Sequence, residues 1–156
     1  MRNLLILILF LALPVQAETL TGRVVGITDG DTLKVLDAKR VVHKIRLSGV
    51  DAPELNQDFG LRSKANLSAL ALNRMAALEC RKADKYRYKA CVVMVEGLDV
   101  GLEQIKTGMA WWSRKHTKEQ SLHQRVNYED AEFNARKNHV GLWAAENPVP
   151  PWVWRK

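Results

Sequence analysis

Residues 21–50 read TGRVVGITDGDTLKVLDAKRVVHKIRLSGV, a stretch dense in β-branched residues and interrupted by turn formers. Short runs of Val, Ile and Thr bounded by Gly and Asp are a strand pattern. Three strands are predicted between Leu20 and Val50, the first two joined at Asp29-Gly30-Asp31 and the next turn at Asp37-Ala38-Lys39-Arg40. Asp and Gly suit such corners because Asp bonds its own backbone and Gly accepts left-handed dihedrals.

After Pro53 the character changes. Residues 61–78, LRSKANLSALALNRMAAL, hold no Val, Ile or Thr and are rich in Ala, Leu, Arg and Lys, so most of this stretch is predicted helical. A hairpin around the cysteines follows, with ACVVMVEG (90–97) as its second arm. Asp99 reads as the N-cap of a short helix, VGLEQIKT, stopped by Gly108. A last helix is predicted from about Glu119 to Asn138, with Leu122, Val126, Phe133 and Ala135 as its apolar stripe and Gly141 as its end. The segment NPVPPWVWRK (147–156) is too short for a module and is expected to lie against the body through its tryptophans. Strands first and helices later argue an α+β fold, a small barrel packed outside by helices.

The chain has 156 residues, enough for one domain. Its first stretch, MRNLLILILFLALPVQA, has a basic Arg2, an apolar run from Leu4 to Leu13 and small-residue punctuation ending at Ala17. That pattern predicts a secretory signal with cleavage after Ala17, which would leave residues 18–156 as the domain. The run is about half the roughly 20 residues a membrane span needs, so no stable membrane association is expected after cleavage. Losing Arg2 lowers the net charge only from +7 to +6, a balance that suits a polyanionic partner. Export to the periplasm or the medium also lets thiols pair. Cys80 and Cys91 lie equally far from a turn centred near Lys85 and Tyr86, which places them opposite each other on antiparallel strands and predicts a disulfide.

The chemistry concentrates in Asp29-Gly30-Asp31-Thr32 and in Arg46-Leu47-Ser48-Gly49-Val50-Asp51-Ala52-Pro53-Glu54. Hard cations take oxygen ligands, and Asp31 with Asp51, a backbone carbonyl and waters would make an open site. Arg46 stands between the apolar Ile45 and Leu47, so it points away from the core and can hold phosphate oxygens bidentately. Pro53 stiffens the chain before Glu54, a carboxylate able to orient or deprotonate an attacking water. His43, His116, His123 and His139 show no zinc-type spacing and read as surface or packing residues. Trp111 and Trp112 read as packing, and the Lys and Arg residues of 114–137 as a solvated helix face.

These segments resemble the staphylococcal nuclease family across nearly the whole of residues 18–156. The resemblance rests on DGDT, RLSGVDAPE, QDFG at 57–60, DKY at 84–86, GMAW at 108–111, YEDAEFNAR at 128–136 and GLW at 141–143, in that order. It implies a five-stranded OB-type barrel with about three helices. It implies a calcium ion held by Asp31, Asp51 and the carbonyl of Ala52, with Asp29 supporting the site from behind. Glu54 would be the general base or water-orienting group, Arg46 would bind the phosphate, and Lys85 and Tyr86 would contact the nucleotide.

The chain departs from the family at one turn, where D-x-Y-G-R is usual and Asp84-Lys85-Tyr86-Arg87-Tyr88 stands instead. Without a gap, Tyr88 takes the place of a second phosphate-binding arginine. With the glycine deleted, Arg87 takes it, and Arg87 keeps the family's spacing to the following Ala90. The deletion is the favoured reading, because hairpin turns lose single residues with least damage. The expected function is that of a calcium-dependent, sequence-nonspecific nuclease acting as a monomer on DNA and RNA. The alternatives are a nucleic-acid-binding barrel that has lost turnover through this turn, and an interaction protein using its Trp-rich segment.

Overall fold

The computed structural model describes residues 18–81 and 89–156. The expected signal segment, and Lys85, Tyr86 and Arg87, lie outside the described residues.

The strands form as expected through residue 50 and then build a closed barrel. They are β1 (Glu18–Ile27), β2 (Thr32–Asp37), β3 (Val42–Leu47), β4 (Val50–Asp51), β5 (Met75–Arg81), β6 (Lys89–Val95), β7 (Leu98–Asp99) and β8 (Trp111–Trp112). The main sheet runs β3-β2-β1-β5-β6-β7, and β3 also pairs in parallel with β6, so β1, β2, β3, β5 and β6 close on themselves. Closure leaves no free edge among these five strands. Two short strands, β4 and β8, pair separately with Val50 opposite Trp112 and Asp51 opposite Trp111. The barrel is filled by Val24, Leu33, Val35, Ile45, Leu47, Leu78 and Val93, all essentially without exposure. Burying side chains of this size stabilises a fold by about 1.5–3 kcal/mol each.

Among the described residues four helices pack outside: α1 (Gly60–Ala71), α2 (Val100–Lys106), α3 (Leu122–Lys137) and a single turn, α4 (Pro151–Trp154). Among the described residues no helix is long and apolar enough to cross a membrane. α2 forms as expected: the Asp99 side chain accepts from the N–H groups of Gly101 and Leu102, and Gly108 adopts φ +62° beyond the last turn.

The helix expected over most of 61–78 ends at Ala71, and Met75 to Leu78 belong to β5. The break is Asn73, at φ 64°, a left-handed conformation that Asn tolerates. Its N–H donates to the Val24 carbonyl (2.9 Å), and beyond it β5 pairs with both β1 and β6. Barrel pairing thus overrides the helical propensity of Met, Ala and Leu.

The last helix also differs. Residues 114–119 form 3₁₀ turns, and α3 starts three residues later than expected, behind a Ser121–Gln124 capping box. Its buried face is Tyr128, Ala131, Glu132 and Ala135, whereas Leu122 (76 %), Val126 and Phe133 (64 %) are exposed. Only Ala135 of the expected stripe is buried. The inward face carries the polar Glu132, whose carboxylate accepts from the Trp112 backbone N–H (3.1 Å) and from Arg114 (3.0 Å). Apolar periodicity alone misplaces a face built this way.

Cys80 and Cys91 stand directly opposite in the β5–β6 ladder and are joined by a disulfide.

Candidate active site

The site assembles at the end of the barrel because two strand ends meet there. Thr32 pairs with Arg46 across β2 and β3, and the Leu47 N–H donates to the Asp31 carbonyl (2.8 Å), so Asp31 sits beside the root of Arg46. The Asp29–Asp31 turn is locked from within, since the Asp29 carboxylate accepts from the Asp31 N–H (3.1 Å). It is also locked from outside: the buried Gln104 of α2 donates through Nε2 to the Gly30 carbonyl (2.6 Å) and to the Ser63 carbonyl (3.1 Å). Gly30 lies so close to α1 that a Cβ there would collide with the Ser63 side chain.

Asp51 arrives by a separate route, through the β4–β8 pair. The two loops are stitched together where the Ala52 N–H donates to Asp31 Oδ2 (2.9 Å). Glu54 is placed by a tight reversal. Its backbone N–H donates to Gln57 Oε1 (3.1 Å), the Gln57 N–H returns to the Glu54 carbonyl (2.9 Å), and Gly60 is needed because any Cβ would strike that same carbonyl. The QDFG stretch is therefore a positioning device for Glu54.

Asp29, Asp31, Arg46, Asp51, Ala52 and Glu54 line one open cavity of about 300 Å³, together with His116 and Arg155. Of the residues expected to form the site, these six are brought together. Lys85, Tyr86 and Arg87 lie outside the described residues.

The electrostatics fit a cation. Burial pushes the Asp31 carboxyl up to about 7, and the negative charges of Asp29 and Asp51 add to that rise, against hydrogen bonds from Ala52 and Thr32 that oppose it. A carboxyl held at this cost in the neighbourhood of two others gains from a hard divalent ion. Among the described residues, no group of three or more His, Cys, Asp or Glu side chains forms a metal cage. Asp31 and Asp51, with the Ala52 carbonyl, are the oxygen donors that could hold such an ion in an open site.

Both arginines of the cavity are paired. Arg46 grips Glu119 through a single nitrogen, Nη2 lying 2.7 Å from each carboxylate oxygen while Nη1 donates to the Leu47 and Val50 carbonyls, and His116 Nδ1 lies 2.8 Å from the same carboxylate. Arg155 Nη2 donates to Asp51 Oδ2 (2.8 Å), and its Nη1 donates to Asp51 Oδ1 (3.1 Å) and Glu54 Oε1 (2.6 Å). These carboxylates push the Arg155 guanidinium pKa further up, with Asp51 the larger cause.

The family profile described as Staphylococcal nuclease homologue matches residues 44–145. The chain belongs to the staphylococcal nuclease family. Among its relatives, a Haemophilus influenzae protein named "Uncharacterized endonuclease" is 38 % identical over 89 % of this chain and 75 % of its own length. An Escherichia coli protein of the same name is 34 % identical over 99 % of this chain and 98 % of its own. The "Micrococcal nuclease" of Shigella flexneri is 30 % identical over 96 % and 87 %.

Against this family background, five site residues escape a local reading of the sequence: Gln57, Gln104, His116, Glu119 and Arg155. His116, read above as a surface or packing residue, lines the cavity and pairs with Glu119. Gln104 sits inside an otherwise apolar helix face, and a Gln among core positions was the available signal. Trp111 and Trp112 are buried, as read, and Trp111 packs edge-on against Trp143 (5.3 Å) and Trp152 (6.3 Å). The 147–156 segment does lie against the body through a tryptophan, but it also delivers Arg155 to the cavity.

Proposed function

We propose that this chain is an exported, calcium-dependent nuclease without sequence preference, cutting DNA and RNA as a monomer. Membership of the family, with relatives named endonuclease and micrococcal nuclease, makes it a hydrolase of phosphodiester bonds. The observation that carries the finer reading is the convergence of Asp31, Asp51, Arg46 and Glu54 on one solvent-open cavity.

Calcium held by Asp31, Asp51 and the Ala52 carbonyl would supply positive charge beside the phosphate. The rest is done by the chain. Arg46 binds the phosphate oxygens through its planar fork and offsets the charge that grows on them as water attacks. Glu54, fixed by Gln57, orients the water or takes its proton. Asp29 holds the Asp31 backbone. Arg87 is proposed as the second phosphate-binding arginine, and Lys85 and Tyr86 as contacts to the nucleotide. A site that reads phosphate and at most one stacked base has little with which to distinguish bases. Export rests on the pattern of residues 1–17, and the Cys80–Cys91 disulfide suits an oxidising compartment.

The test is release of acid-soluble nucleotides from single-stranded DNA by residues 18–156, in calcium and in chelator, beside Glu54→Gln and Arg87→Ala. Calcium-dependent release that collapses in both variants is the expected result. Folded protein that binds DNA in a salt-sensitive way and releases nothing would establish a binding barrel instead.

A further inference from the structure

The 147–156 segment is anchored on both sides of Arg155's targets. Gln57, which fixes the Glu54 backbone, also donates through Nε2 to the Val149 carbonyl (2.6 Å). Pro151 is buried, Trp152 packs against Trp111, the β8 residue paired with Asp51, and Trp154 Nε1 donates to Asn56 (3.3 Å). Two successive prolines fix φ through the approach to α4, so the segment carries little slack. The same residues that place Asp51 and Glu54 therefore place Arg155.

Its location is specific. The cavity of about 300 Å³ that holds the carboxylates and Arg46 adjoins a second of about 540 Å³, lined by Trp112, Arg114, Lys115, Trp152 and Lys156, and the two share Asp51, His116 and Arg155. A strand threading from one to the other passes the Arg155 guanidinium. That group spends its donors on both oxygens of Asp51 and one of Glu54. A divalent cation bound to Asp51 needs the same lone pairs, and its charge repels the guanidinium. Displaced from Asp51, the guanidinium keeps Nη1 beside Glu54 Oε1 and has Nη2 to offer a phosphate oxygen of the strand.

We propose that Arg155 is a substrate-contacting arginine: it neutralises Asp51 and Glu54 in the cation-free site and holds a phosphate of the bound strand once a divalent cation takes Asp51. This rests on the nuclease reading above.

The experiment compares wild type, Arg155→Ala and Arg155→Lys, each checked for a native fold by circular dichroism at the assay temperature. Calcium binding is measured by calorimetry without nucleic acid. Binding of a single-stranded thymidine oligonucleotide in calcium is measured in a Glu54→Gln background, and hydrolysis is measured as kcat and KM. Arg155→Ala is expected to bind calcium several-fold more tightly, to bind the oligonucleotide about tenfold more weakly, and to lose about a hundredfold in kcat, with Arg155→Lys between. Tighter calcium with undiminished kcat and oligonucleotide affinity would make Arg155 a plug and overturn the proposal. No change in any readout would make it a bystander. A wild type that cuts nothing would sink the nuclease reading, and the oligonucleotide arm would still decide whether Arg155 touches the strand.

Discussion

Acidification is expected to weaken calcium binding at Asp31 through a single proton. In the cation-free protein the Asp31 carboxyl is raised to about 7, chiefly by burial and next by Asp29. A cation binds the ionised form, so its apparent dissociation constant scales as one plus the ratio of protonated to ionised Asp31. One unit below that pKa the weakening is about 11-fold, at the pKa it is twofold, and one unit above it is about a tenth. Moving from pH 8 to pH 6 therefore costs about tenfold in affinity, or about 1.4 kcal/mol. Calorimetric titration of calcium at half-unit pH steps, in two buffers of different ionisation heat, reads both the affinity and the protons released. Close to one proton should leave per calcium at pH 6 and almost none at pH 8. Asp29→Asn removes the nearest like charge and should slide the whole curve to lower pH. An affinity flat between pH 6 and 8, with no proton release, would refute the reasoning. The same shift has a stability consequence without cation. The folded protein keeps a proton that the unfolded chain has released above about pH 4, so stability falls as pH rises from there through 7.

Replacing Cys80 and Cys91 together by Ala opens a link between residues 11 apart and should cost about 3 kcal/mol, read as a melting temperature lower by about 10 °C. Gln104→Leu keeps the volume but strips the donors from the Gly30 and Ser63 carbonyls; it should cost about 2–3 kcal/mol in urea unfolding and weaken calcium binding as well. Glu119→Gln removes the anion that Arg46 grips, so KM for single-stranded DNA should fall while kcat holds; a higher KM would show that Glu119 aims Arg46 at the phosphate. Arg46→Lys keeps the charge but loses the fork, and kcat should drop about a hundredfold or more in the release assay.

What could be read from the sequence follows contact distance along the chain. Asp29, Asp31 and Arg46 belong to one strand–turn–strand run, and Asp51 and Glu54 follow within eight residues of Arg46, so spacing and residue chemistry suffice to group them. The disulfide was legible because a hairpin fixes what lies opposite what. Arg155 meets Asp51 across 104 residues and Gln104 meets Gly30 across 74, and neither contact leaves a local trace. Met75 to Leu78 were misread for a related reason. Their composition favours helix, and only the two flanking strands of a barrel that must close turn them into β5. On α3 the inward Glu132 breaks the apolar pattern, and its partners Trp112 and Arg114 come from β8 and from the 3₁₀ turns that follow it.

The charge arrangement links these contacts to cation dependence. Asp29, Asp31, Asp51 and Glu54 face a cavity meant for a polyanion, and Arg46 is held by a fifth carboxylate, Glu119. With Asp31 ionised, such a site repels a phosphodiester in spite of a net positive chain, because the local field outweighs distant lysines screened over about 10 Å at ordinary salt. Arg155 balances part of the excess by pairing with Asp51 and Glu54, which keeps the barrel end stable while empty. A divalent cation at Asp31 and Asp51 would cancel most of that excess and free one guanidinium in the same event. Cation binding and the appearance of a phosphate-binding surface are then one equilibrium, and each ligand must tighten the other by an equal factor. Calcium affinity measured with and without oligonucleotide on the Glu54→Gln protein should therefore show mutual enhancement, and replacing Arg155 by Ala should shrink it.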